Sequence, residues 1–118
     1  MTTWTTGNAV EDTGDTRGWL VGHFVHPSKG VRRSDDVEVK WGVHPAGEKR
    51  EQWAPDDRRT ALVILVSGHF VVQLGDGNAD LAEPGDYVMW GPGTGHSWTA
   101  VEDSVVMTVR WPSEVEQR

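Results

Sequence analysis

Cysteine is absent, which excludes disulfides, thiolate metal sites and cysteine nucleophiles at the outset. Basic residues are scarce: 11 Lys and Arg face 18 Asp and Glu, for a net charge of -7. That balance opposes binding to a phosphate backbone, where a basic surface supplies most of the affinity, so no nucleic-acid partner is expected. Long apolar runs are missing too. The longest, ALVILV from Ala61 to Val66, is far short of a bilayer span, and no membrane partner is expected. The opening MTTWTTGNAVEDTGDT has neither a basic n-region nor an apolar h-region. It does not read as a signal peptide, and a soluble cytoplasmic protein is the expectation. Tyrosine and phenylalanine number only one and two, against seven tryptophans.

What is present is punctuation. Fourteen glycines and six prolines are scattered along 118 residues, enough chain for one modest core. Residues 1–17 are polar and read as a flexible arm or a docking edge strand, ahead of a single domain over 18–118. GWLVGHFVHP is strand-like up to Pro27. VEVKWGVHP alternates cleanly, Val37, Val39, Trp41 and Val43 on one face and Glu38, Lys40, Gly42 and His44 on the other. The apolar face is expected to supply core, with Trp41 in it and His44 a solvated strand end. AGEKREQWAPDDRR has helix-favouring residues but is bracketed by Pro45 and Pro55, so a short exposed strand and a loop are expected. TALVILV, the turn SG and HFVVQL read as a hairpin. Short strands in ADLA, YVMW, HSWTA and SVVMTVRW follow, the last closing on Trp111 as a further core residue. Many short strands, regular turns and no convincing helix predict an all-β sandwich or barrel.

GDYVMWGPGTGHSW, residues 85–98, carries the most specific pattern. A strand runs into a Gly-Pro-Gly turn and re-emerges at His96 between Trp90 and Trp98. This stretch resembles the second motif of the cupins. Gly85, Gly91 at the proline position, Gly93 and His96 fit its spacing, and Ala100 stands where the motif closes on asparagine. The first motif fits only in its flanking glycines, Gly47 and Gly68; Trp53 and Pro55 fall at its histidine positions and Ala61 at its glutamate. The resemblance spans roughly residues 37 to 111. It implies a cupin-type jelly-roll fold, and of the family's four metal-ligand positions only His96 keeps a ligating side chain.

A divalent transition metal needs three or four converging donors, so no metal and no other cofactor is expected. The cavity would instead be a ligand pocket, with Trp53, Trp90 and Trp98 as walls and His96 as hydrogen-bond partner. A small-molecule-binding protein is therefore the first reading. A metal-independent isomerase, epimerase or cyclase is an alternative, with His96 and Glu51 as candidate catalytic acid and base. A third is a dioxygenase-like protein whose metal ligands have moved, combining His96 with His23 or Glu51. His23 and His26 face opposite sides of any regular strand, and His69 reads as outward. The apolar strand beside the polar arm looks like a partner-facing edge, so a homodimer is expected.

Overall fold

The computed structural model describes residues 3–53 and 58–113. Pro55, at the second histidine position of the first motif, lies outside the described residues. Eight strands make two antiparallel sheets. The larger has the order β1 (Trp19–Val21), β2 (Glu38–His44), β8 (Ser104–Trp111), β3 (Thr60–Ser67), β6 (Tyr87–Trp90). The smaller has the order β5 (Gly77–Leu81), β4 (Phe70–Leu74), β7 (His96–Ala100). Residues 47–50 run along the free edge of β7: Gly47 N–H donates to the Ala100 carbonyl and Arg50 N–H to that of Trp98. The exposed strand expected there is this edge segment. The architecture is the all-β jelly-roll sandwich. Among the described residues no helix is long and apolar enough to cross a membrane.

The arm is not an edge strand. Residues 9–12 form one helical turn, α1 (Ala9–Asp12), whose Asn8 side chain accepts from the N–H groups of Val10 and Glu11. The strand expected over GWLVGHFV lasts only three residues, β1, before a kinked 3-10 segment from Pro27 to Arg32.

The expected hairpin between ALVILV and FVVQL is a corner instead. β3 pairs with β6 and β8, whereas β4 pairs with β5 and β7, so Gly68 carries the chain from one sheet to the other. Its φ is +97°, and a Cβ there would sit 2.2 Å from the Asp103 carbonyl oxygen. Only glycine meets both conditions.

Between the sheets lie Val63, Leu65, Phe70, Val72, Leu81, Ala100 and Val106, all buried. The inner face of the larger sheet changes character along its strands. Leu65 and Val106 give way to Val63 and Thr108, then to Ala61 and Arg110. On β2 it is Glu38, Lys40, Gly42 and His44 that turn inward, reversing the sequence expectation. The apolar set points out, Val43 being 60% exposed, and Trp41 joins Met107, Ile64 and Tyr87 in one row on the outer face. Trp111 is likewise at the surface, 37% exposed, rather than in the core. Alternation defines two faces but not which of them looks inward; here a polar cavity occupies one end of the interior and takes the charged face.

Candidate functional site

The cavity opens at that polar end and has a volume of about 90 Å³. β7 contributes His96 and Trp98, β6 contributes Trp90, β2 contributes Lys40 and His44, and β8 contributes Thr108 and Arg110. Where a strand contributes two of these residues they are two or four apart, on one face, as alternation requires. The Trp90 and His96 rings lie 4.6 Å apart. Trp98 stacks on Phe70 at 5.3 Å and meets the His44 ring at 4.4 Å.

His44 is therefore no solvated strand end. It is buried to 9% exposure, and its Nδ1 lies 2.5 Å from Glu48 Oε1, which fixes the ring's orientation. Alternation places His44 on one face with Lys40 and Glu38, and only the packing of β2 turns that face inward.

Behind the cavity Glu38 is wholly buried. Its Oε1 accepts from Arg59 Nη1 at 2.9 Å and from Arg110 Nε at 2.8 Å. Its Oε2 accepts from Ser113 Oγ at 3.0 Å and lies 3.3 Å from His23 Nδ1. Arg110 is thereby held against the cavity, with the Trp19 ring 4.2 Å from its guanidinium carbon. Lys40 Nζ sits 5.6 Å from the same ring. Burial, then the neighbouring guanidiniums of Arg110 and Arg50, lowers the Lys40 amine below its ordinary pKa; Glu48 opposes this in part. Lys40, Arg50 and Arg110 are not marked out by the sequence, because the excess of acids elsewhere hides a basic cavity lining.

The structure brings together two of the three expected walls, Trp90 and Trp98, with His96, the expected hydrogen-bond partner. Trp53 is elsewhere. It is 54% exposed and borders a shallow shelf on the outer side of β7, with Glu51, Lys49 and Gln73. Residues 47–50 pair along the edge of β7, and Trp53 lies beyond them on the outer shelf rather than in the cavity lining. Glu51 is exposed on the same shelf and is not a partner for His96 inside the cavity. His23 belongs to the Glu38 network, and His69 faces out to Asp80, with Nε2 2.5 Å from its carboxylate. Neither relocated metal set, His96 with His23 or with Glu51, is assembled. Among the described residues no three His, Cys, Asp or Glu groups gather in metal-binding geometry.

No protein-family model matches this sequence. No curated protein matches it significantly either. Solved structures do resemble it. KdgF from Halomonas sp. superposes with a TM-score of 0.62 at 24% identity, over 69% of this chain and 73% of its own. A protein named plu4264 from Photorhabdus luminescens gives 0.63 at 15% identity, over 94% and 88%. An RmlC-like cupin from Shewanella frigidimarina gives 0.59 at 15% identity, over 68% and 69%. At such identities the likeness concerns the fold.

Proposed function

We propose, from the premise that this chain has the cupin fold, that it binds a small molecule in the cavity between its sheets. The observation that carries the reading is the convergence of Lys40, His44, His96 and Thr108 on one end of an otherwise apolar interior. Apolar walls with a few convergent polar groups are the usual make-up of a small-molecule site. Trp90 and Trp98 offer flat apolar walls, and His96 on the lip of the glycine turn offers a polar edge. Stacking on one such ring contributes about 0.5–1.5 kcal/mol beyond area burial.

The site is proposed to work without a metal. Two imidazoles face the cavity, His44 bonded to Glu48, and the charged side chains of the lining are cationic. That set does not fit a divalent cation, which calls for three or more N or O donors and little positive charge nearby. The test is a tryptophan-fluorescence titration of the full chain against a metabolite panel, with Trp98→Leu as control. Silence of the wild type across the panel, with no ligand retained through purification, would reject the reading.

One observation favours a second reading, a metal-independent isomerase or epimerase: His44 and His96 line the same cavity and could act as an acid and base pair. Such an enzyme must lose turnover in both His44→Gln and His96→Gln, so unimpaired turnover in either rejects it. A homodimer is also proposed. β1 lies at the edge of the larger sheet, and the outer face beside it carries the apolar row ending at Tyr87, 64% exposed. Light scattering at micromolar concentration should report two copies; a stable monomer rejects this.

A further inference from the structure

The sign of the cavity's charge identifies the class of molecule it takes. The chain as a whole is acidic, at -7, yet the charged side chains lining this cavity are Lys40, Arg50 and Arg110. The nearest carboxylates are committed elsewhere. Glu48 is bound to His44, and Glu38 holds Arg59, Arg110 and Ser113 from behind. Arg110 is thus partly neutralised, and Arg50 donates from Nε to the Gln52 carbonyl at 2.9 Å, standing at the rim between the cavity and the outer shelf.

Lys40 differs from both. Among the described residues it forms no ion pair; its ammonium lies over the Trp19 ring, beside Arg110 and Arg50, in a half-buried position. A half-buried ammonium crowded by guanidiniums, which Glu48 offsets only in part, is stabilised when something of opposite charge enters. The burial and like-charge crowding that lower its amine pKa are what an incoming anion would relieve.

We propose that the cavity is an anion site that takes the carboxylate of a small organic acid, with Lys40 as its main charge partner and Trp90 and Trp98 flanking its body. This rests on reading the cavity as a ligand site. A volume of about 90 Å³ restricts the ligand to a small molecule. Flat walls and so small a space suit a planar carboxylate better than a tetrahedral phosphate ester. Lys40 comes from β2 and Arg50 from the segment along the edge of β7, so a carboxylate can meet an ammonium at one oxygen and a guanidinium at the other.

The experiment compares matched pairs at fixed ionic strength: acetate with acetamide, benzoate with benzamide, and inorganic phosphate as the other anion. Tryptophan emission and proton NMR of the full chain are the readouts, on wild type and Lys40→Met. The acid of at least one pair should bind at least about tenfold more tightly than its amide, and Lys40→Met should remove that preference. Acids and amides binding equally overturns the anion assignment and leaves the ligand site standing. Phosphate binding more tightly than both acids overturns the carboxylate assignment. No binding by any of the five at tens of millimolar overturns the proposal. Lys40→Met keeps most of the side-chain length, and a wild-type-like circular dichroism spectrum separates lost charge from lost fold.

Discussion

Replacing Glu38 by glutamine should unfold this protein at a markedly lower temperature. The carboxylate is 0% exposed and serves Arg59 at 2.9 Å, Arg110 at 2.8 Å and Ser113 at 3.0 Å, with His23 at 3.3 Å. Arg59 is itself buried, at 6% exposure. Glutamine keeps the shape but removes the negative charge from between two guanidiniums. Removing one partner of a buried ion pair costs about 3–5 kcal/mol, because the remaining charge stays desolvated. A domain of this size has only about 5–15 kcal/mol of stability. Unfolding entropy of about 2.1 cal/mol/K per residue gives about 0.25 kcal/mol/K here, so the melting temperature should fall by about 12–20 °C. Thermal melts and urea titrations by circular dichroism, analysed together for two-state behaviour, read this directly. A loss below about 1 kcal/mol, the range of a solvent-exposed pair, would refute the claim that this network is desolvated.

Gly68→Ala should cost roughly 2 kcal/mol or more, through both its positive φ and the Asp103 carbonyl 2.2 Å from the new methyl; a change within 0.5 kcal/mol by urea titration would contradict the corner geometry. Lys40→Met should raise the urea midpoint at neutral pH. The folded-state pKa of Lys40 lies below its ordinary 10.5, so between the two the unfolded chain holds more protons and wild-type stability rises with pH. That rise should be weaker in Lys40→Met, and a lower midpoint than wild type at pH 7 would contradict the sign. His96→Ala should weaken ligand binding while lowering stability by less than about 1 kcal/mol; a large drop in midpoint with unchanged binding would make it a turn-stabilising residue instead.

Much of the strand framework is readable locally, because it depends on local chemistry. The alternation of VEVKWGVH, the β-branched runs at Ala61 to Val66 and Ser104 to Trp111, and the glycine-rich turn before His96 each mark a strand or its end wherever the chain then goes. His96, Trp90 and Trp98 were legible for the same reason: they flank one short turn, so their shared location follows from a few adjacent residues. The outward position of Trp53 and Glu51 is not legible locally, because it depends on the chain before them joining the free edge of β7. That edge contact links residues about fifty apart in sequence.

The orientation of β2 is the decisive case. Glu38, Lys40 and His44 lie on one face by alternation alone, and that much is a property of the sequence. Whether that face meets water or the interior is settled only when β8 brings Arg110 opposite Glu38 and Thr108 opposite Lys40, while β7 brings Trp98 against His44. A charged face is normally stable in solvent; it becomes stable inside because Arg59, Arg110 and Ser113 arrive from distant parts of the chain to satisfy Glu38. Local pattern therefore determined the strands, their turns and the pairing of His96 with tryptophans. Tertiary structure decided which faces enclose the cavity and what charge it carries, because desolvation and its compensation are properties of groups far apart in the chain.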